Sequence, residues 1–230
     1  MRFDVLTLFP SMFHEVLATS ILKRAQAGGQ LQVALHDIRD SATNTHRSVD
    51  DTPYGGGAGM VLGVDVIDAA LNNLAATPEL TGIPKAKQRI IMLTPQGKRL
   101  TQPDANRLAE YDQLTLLCGH YEGFDERIRN LVDEELSIGD FVLTGGELPA
   151  MLLIDCITRL LPGVIHQDGP DEESFSLKDT EGNPLLEYPH YTRPLSYKGQ
   201  EVPEIVRSGN HAAIQKWRME QAKQRTHARN

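Results

Sequence analysis

Apolar residues fall along this chain in short runs, separated by longer stretches with helical spacing. Runs suited to strands occupy 3–9, 31–38, 89–94, 114–118 and 136–143. Between them, helices are predicted over 12–26, 64–75, 103–111, 125–132 and 147–160. In the second of these, Val66, Ala69, Ala70 and Leu74 repeat at the helical period. Pro103 suits a first helical turn, with Thr101 or Gln102 as the cap before it. Strand and helix in alternation predict an α/β fold with a largely parallel sheet. After Pro162 the texture changes. The stretch 163–203 is rich in Gly, Pro, Asp and Glu and reads as a linker or mobile loop, then an extended segment. A last helix is predicted from His211 to about Arg225, with Ala212, Ile214 (or Ala213) and Trp217 inward, as the basis of a small C-terminal helical domain.

Three glycine-bearing stretches each follow a strand-like run in the middle of the chain. They are Thr94-Pro95-Gln96-Gly97, Cys118-Gly119-His120-Tyr121-Glu122-Gly123, and Ser137-Ile138-Gly139-Asp140-Phe141-Val142-Leu143-Thr144-Gly145-Gly146-Glu147-Leu148-Pro149. Side by side they would expose backbone at one sheet edge. Ligands of open α/β sheets bind there, beyond the carboxyl ends of the strands.

Composition narrows the class. The 230 residues suffice for one large domain, or a main domain and a small one, and the 40% hydrophobic share is globular. No apolar run is long enough to cross a bilayer, and the N-terminus lacks a signal pattern. Cys118 and Cys156 have no disulfide or metal spacing, so the expectation is a reduced, cytoplasmic protein. The net charge of -8 argues mildly against a nucleic-acid partner. That charge is uneven. Asp168, Asp171, Glu172 and Glu173 cluster in one stretch, while Lys216, Arg218, Lys223, Arg225 and Arg229 face a single acid, Glu220, in the tail. A basic tail can contact phosphates even on an acidic chain.

The run Tyr54-Gly55-Gly56-Gly57-Ala58-Gly59-Met60 lacks the Gly-Lys-Ser/Thr ending of a phosphate loop and the spacing of a dinucleotide fingerprint. Two readings stand side by side: a flexible surface loop, or close backbone approach to a ligand or RNA. Asp50 and Asp51 read as a metal pair or as solvated acids, with His46 and Arg47 nearby. Cys118 ends a strongly apolar run and reads as a packed strand residue, although His120 is close in sequence. Arg159, near the end of its helix, reads as a dipole partner or as a stabiliser of negative charge on a reacting group. Glu173 reads as solvated surface or as a general base on a mobile segment.

Taken together the motifs are far more specific. Asp4-Val5-Leu6-Thr7-Leu8-Phe9-Pro10, Val49-Asp50-Asp51 through Met60, Gly119-His120-Tyr121-Glu122-Gly123-Phe124-Asp125-Glu126-Arg127, Ser137 through Met151, Pro189-His190-Tyr191-Thr192-Arg193-Pro194 and Ser208-Gly209-Asn210-His211 stand in one order along nearly the whole chain. In this the chain resembles the bacterial tRNA (guanine-N1)-methyltransferase family, TrmD.

The resemblance implies a trefoil-knotted α/β methyltransferase domain of the SPOUT class over 1–162, an interdomain loop over 163–179 and a tRNA-binding domain over 180–230. It implies S-adenosylmethionine as methyl donor and N1 of guanosine 37, beside the anticodon, as target, in tRNA with guanosines at positions 36 and 37. It also implies a homodimer with active sites at the subunit interface, and the family is associated with a magnesium requirement. The donor would lie against Pro95, Gln96 and Gly97, against Gly119, Tyr121, Glu122 and Gly123, and against Ser137, Ile138, Gly139, Asp140, Phe141, Val142 and Leu143. Thr144, Gly145, Gly146 and Pro149 would close the pocket. Arg159 matches the family's catalytic arginine. The family's usual base is an aspartate before a Ser-Phe pair; here Glu173 precedes Ser174-Phe175, with Asp171 and Glu172 as substitutes. Two other readings remain open at this point: a knotted methyltransferase for another RNA or base atom, and a noncatalytic RNA-binding protein that keeps the pocket as scaffold.

Overall fold

Five parallel strands organise the first part of the chain. The computed structural model describes residues 1–165 and 173–229. Strands β1 (Arg2–Thr7), β2 (Gln32–Asp37), β3 (Gln88–Arg99), β4 (Gln113–Cys118) and β5 (Glu134–Ser137) lie side by side in the order β2-β1-β4-β3-β5. Every pairing is parallel, as the alternation of elements predicts. Contacts divide the chain into Met1–Ile165 and His166–Asn230.

The sheet is covered on both faces, which is why β1 and β4 read as continuous apolar runs. On one face Phe3, Val5, Leu114 and Leu116 pack against Leu22, Ala105, Ile154 and Ile157. These come from α1 (Ser20–Ala27), α3 (Gln102–Leu108) and α4 (Glu147–Thr158). On the other face Leu6, Met92 and Leu117 meet Ile67, Leu71 and Leu74 of α2 (Val64–Ala75). Each of the larger of these side chains, the Val, Leu, Ile, Phe and Met, contributes about 1.5–3 kcal/mol on burial.

Local chemistry sets the element ends. Thr101 precedes α3 as its cap, and both its hydroxyl and its amide donate to the Asp104 carboxylate, at 2.6 and 3.1 Å. The expected helix over 12–26 is broken. A 3-10 turn (Pro10–Phe13) and a helical turn (His14–Leu17) precede α1. The Thr19 hydroxyl takes the Glu15 carbonyl at 2.7 Å, and Thr19 itself is extended. The expected helix over 125–132 is a 3-10 stretch, Glu126–Leu131, started by Asp125 accepting from the Arg127 amide at 2.9 Å.

Two strands depart from their expected bounds. The run over 89–94 is part of a longer strand. Leu136 pairs with Leu93 and again with Lys98, so residues 94–97 are thrown out as a bulge before β3 resumes. The run over 136–143 ends as a strand at Ser137, whose hydroxyl donates to the Gly139 carbonyl at 2.9 Å and closes a turn.

In the second unit, α5 (His211–Arg229) packs Ala222 and Met219 against Leu177, Leu185 and Tyr188. Ala222, outside the expected inward set, is its buried residue. Ala212 is exposed, and Ala213, Ile214 and Trp217 are half-buried. Among the described residues, no helix is long and apolar enough to cross a membrane.

Candidate functional site

The bulge of β3 and the connections after β4 and β5 leave the sheet at one edge and converge. They enclose a cleft of about 660 Å³, counted to its open mouth.

Backbone makes most of the walls. In the second connection the Gly123 amide donates to the His120 carbonyl at 3.1 Å, and Tyr121 holds a left-handed φ of 58°. A non-glycine residue there is a local strain of the kind that clusters at functional sites. In the third connection Gly146 lies directly on the second: its amide donates to the Gly119 carbonyl at 2.8 Å, and a β-carbon at 146 would stand 2.6 Å from the Cys118 α-carbon. Gly145 bridges to His120 in antiparallel fashion. Helix α4 then begins at the cleft floor. Its first residue, Glu147, is buried, accepts the Thr7 hydroxyl at 2.7 Å and places its charge at a helix N-terminus.

Most residues expected to hold the donor line the cleft: Pro95, Gly119, Tyr121, Glu122, Gly123, Ser137, Ile138, Phe141, Val142, Leu143, Thr144, Gly145, Gly146 and Pro149. Gln96, Gly97, Gly139 and Asp140 are not in its wall. The Gln96 side chain accepts from Arg129, and Asp140 pairs with Arg99 at 3.2 Å. Gly97 is needed for packing, since a β-carbon there would meet the Glu135–Leu136 peptide at 2.6 Å. Leu93, Thr94, His120, Phe124 and Leu136 line the cleft without having been singled out as donor contacts. His120 and Phe124 lie inside a quoted motif. Leu93 and Leu136 are signalled only by their place at paired strand ends.

Electrostatics remove one chemistry. Cys118 is fully buried, and burial together with the charge of Glu147 pushes its thiol well above the ordinary value. It is a packed strand residue and no thiolate nucleophile. Among the described residues, no group of three or more His, Cys, Asp or Glu side chains is placed to hold a metal ion. Asp50 and Asp51 instead form a two-residue ladder with Val61 and Leu62.

Arg159, the expected charge stabiliser, is not in the cleft wall. Arg159 caps the far end of α4. Twelve residues of helix span about 18 Å, so Arg159 is remote from the cleft at which its own helix begins. Glu173 is half-buried, and its carbonyl accepts from the Ser176 and Leu177 amides at 3.1 and 2.9 Å. Asp168, Asp171 and Glu172 lie outside the described residues. On α5, Arg218 stacks on Tyr188 at 4.6 Å from its ring centroid, and Arg229 sits 5.1 Å from that of Phe175.

Known proteins resemble this chain over its full length. The family model described as tRNA (Guanine-1)-methyltransferase TrmD matches residues 1–230. A protein of Shouchella clausii named tRNA (guanine-N(1)-)-methyltransferase is 53% identical over 226 residues, covering 98% of this chain and 88% of that protein. Its namesake in Chloroflexus aurantiacus is 51% identical over 227 residues, covering 98% and 85%. The Bacillus subtilis protein of the same name is 50% identical over 230 residues, covering 100% and 90%.

Proposed function

We propose a reaction that proceeds from one premise: the chain belongs to the tRNA (guanine-1)-methyltransferase family, and it is a tRNA methyltransferase. The methyl donor is S-adenosylmethionine and the target is N1 of guanosine 37. The observation that carries this reading is the convergence of three backbone-walled connections on one cleft at the carboxyl edge of the sheet. The amides and carbonyls of these glycine-bearing connections suit recognition of an adenine edge. Apolar Pro95, Ile138, Phe141 and Val142 suit the rest of the nucleoside.

The bound donor supplies an electrophilic methyl carbon on its sulfonium. Everything else falls to the chain. Guanine N1 carries a proton, and that proton must leave for N1 to attack. Glu173 takes it as general base, a role worth about 10²–10⁴-fold. Negative charge then spreads to O6, where Arg159 stabilises it. The cleft walls keep sulfur, methyl carbon and N1 in line. An unpaired anticodon-loop base is extruded at lower cost than one in a duplex.

The enzyme acts as a homodimer whose active sites lie at the subunit interface. Two observations support this. Arg159 stands at the opposite end of α4 from the residues that begin the helix at the cleft, a placement that suits delivery of the arginine by a second chain. Leu148 and Leu152, one helical turn apart on α4, are exposed, as are Met12 and Val16. The family's trefoil knot accounts for the passage of residues 138–146 back against Gly119, with Gly146 seated on Cys118. The second unit holds the tRNA through the cations of α5, and the setting is the cytoplasm.

The test is single-turnover transfer of labelled methyl to tRNA transcripts that differ only at position 37. Label is expected with guanosine and absent with adenosine. Equal transfer to both would overturn the reading.

A further inference from the structure

Tyr54 is the most exposed of the large hydrophobic side chains of the sheet unit, fully in solvent. It opens a loop in which Gly55, Gly56, Gly57 and Gly59 take positive φ of 90°, 79°, 129° and 85°. A β-carbon on Gly55 or Gly56 would meet nothing within 4 Å. These glycines therefore serve conformation and not close packing. The far end of the loop is fixed. Met60 accepts from the Glu122 amide at 3.1 Å, and Leu62 exchanges bonds of 3.0 Å with Gly123 and Asp125. Gly59 leaves no room for a β-carbon beside the Glu122 side chain. The loop is thus tied to the connection that forms one wall of the cleft. Arg127, in the same connection, pairs with Asp125 at 2.8 Å.

This arrangement does nothing for folding that a polar residue would not do. It puts an aromatic face, on a glycine hinge, beside the site where a base must be presented. Single-stranded RNA is held by such faces: splayed bases stack on aromatic rings, with arginine close by for phosphate. Resting on the proposed transfer to tRNA, we infer that Tyr54 is the stacking platform for an unpaired base next to the target guanosine. It fixes the RNA, and the donor does not touch it.

The experiment uses the full-length protein and a tRNA transcript carrying 2-aminopurine at position 36 or 38. Binding of wild-type protein is expected to quench the probe at one of these positions, and Tyr54→Ala to leave it bright. The same variant should raise KM for tRNA about tenfold. Its affinity for S-adenosylhomocysteine and its thermal unfolding should match wild type, and Tyr54→Phe should restore both RNA readouts. Unchanged quenching and unchanged KM in Tyr54→Ala would overturn the inference while wild-type transfer to tRNA stands. Wild-type protein that transfers no methyl to tRNA would instead remove the functional reading on which the inference rests.

Discussion

Gly146 rests on Cys118: the α-carbon of one strand end occupies the place where a β-carbon on the other residue would have to go, 2.6 Å away. Gly146 has an ordinary helical φ of -83°, so its need for glycine is purely spatial. The same contact seals the third wall of the cleft against the second. Gly146→Ala must therefore push backbone against backbone. The expected cost is about 1–3 kcal/mol of stability. Affinity for S-adenosylhomocysteine should fall more than tenfold, read by calorimetry beside a denaturant titration. A variant that binds like wild type would mean that this contact does not shape the donor site.

Glu173 and its amide isostere separate proton removal from binding. Glu173→Gln is expected to cut turnover by about 10²–10⁴-fold and to leave donor affinity almost unchanged. Single-turnover rates and calorimetry on one preparation give both quantities. An unchanged rate would transfer the role to Asp171 or Glu172.

The position of Arg159 makes a prediction about subunits. A protein with Arg159→Ala and one with Gly146→Val are each expected to be inactive alone. After mixing and subunit exchange, half of the dimers are hybrid and each hybrid has one intact site. Activity should return to about a quarter of wild type. No recovery, with exchange demonstrated, would place both residues in one chain's site.

Asp4 lies buried in β1 and gathers a polar cluster beneath the sheet. Arg2 donates to it twice at 2.8 Å, Gln113 donates at 3.0 Å, and His36 lies at 2.9 Å. Burial alone would raise its pKa, but the hydrogen bonds from His36, Arg2 and Gln113 outweigh this and hold it below the ordinary carboxylate value. The folded pKa is thus the lower of the two. The stabilisation is complete above the unfolded value of about 3.9 and is lost as pH falls through the folded one. Asp4→Ala should cost about 3–5 kcal/mol at neutral pH, because it strands the Arg2 charge. Urea titrations should show the gap to wild type narrowing in acid. Parallel curves from pH 7 to pH 3 would contradict this.

Some of this was legible in the sequence, for identifiable reasons. The helix over 64–75 appears at its expected bounds because its apolar stripe packs against the sheet, which enforces the helical period. The parallel sheet follows from alternating elements. Phe141, Val142 and Leu143 mislead, because apolar residues lining a cleft look like an apolar strand. Gly97 misleads in the opposite way. Its glycine serves contact with the peptide of β5, which sequence spacing does not distinguish from contact with a ligand. The bulge at 94–97 depends on which strand pairs beside β3, a long-range fact with no local signature. The remoteness of Arg159 was available from helix length alone, once the cleft was placed at the start of α4.

The most direct test is the chemical identity of the product. Wild-type protein, tRNA with guanosines at positions 36 and 37, and labelled S-adenosylmethionine are incubated, and the RNA is digested and mapped by mass spectrometry. The account predicts 1-methylguanosine at position 37. Label in 7-methylguanosine, or at any other position, would contradict it.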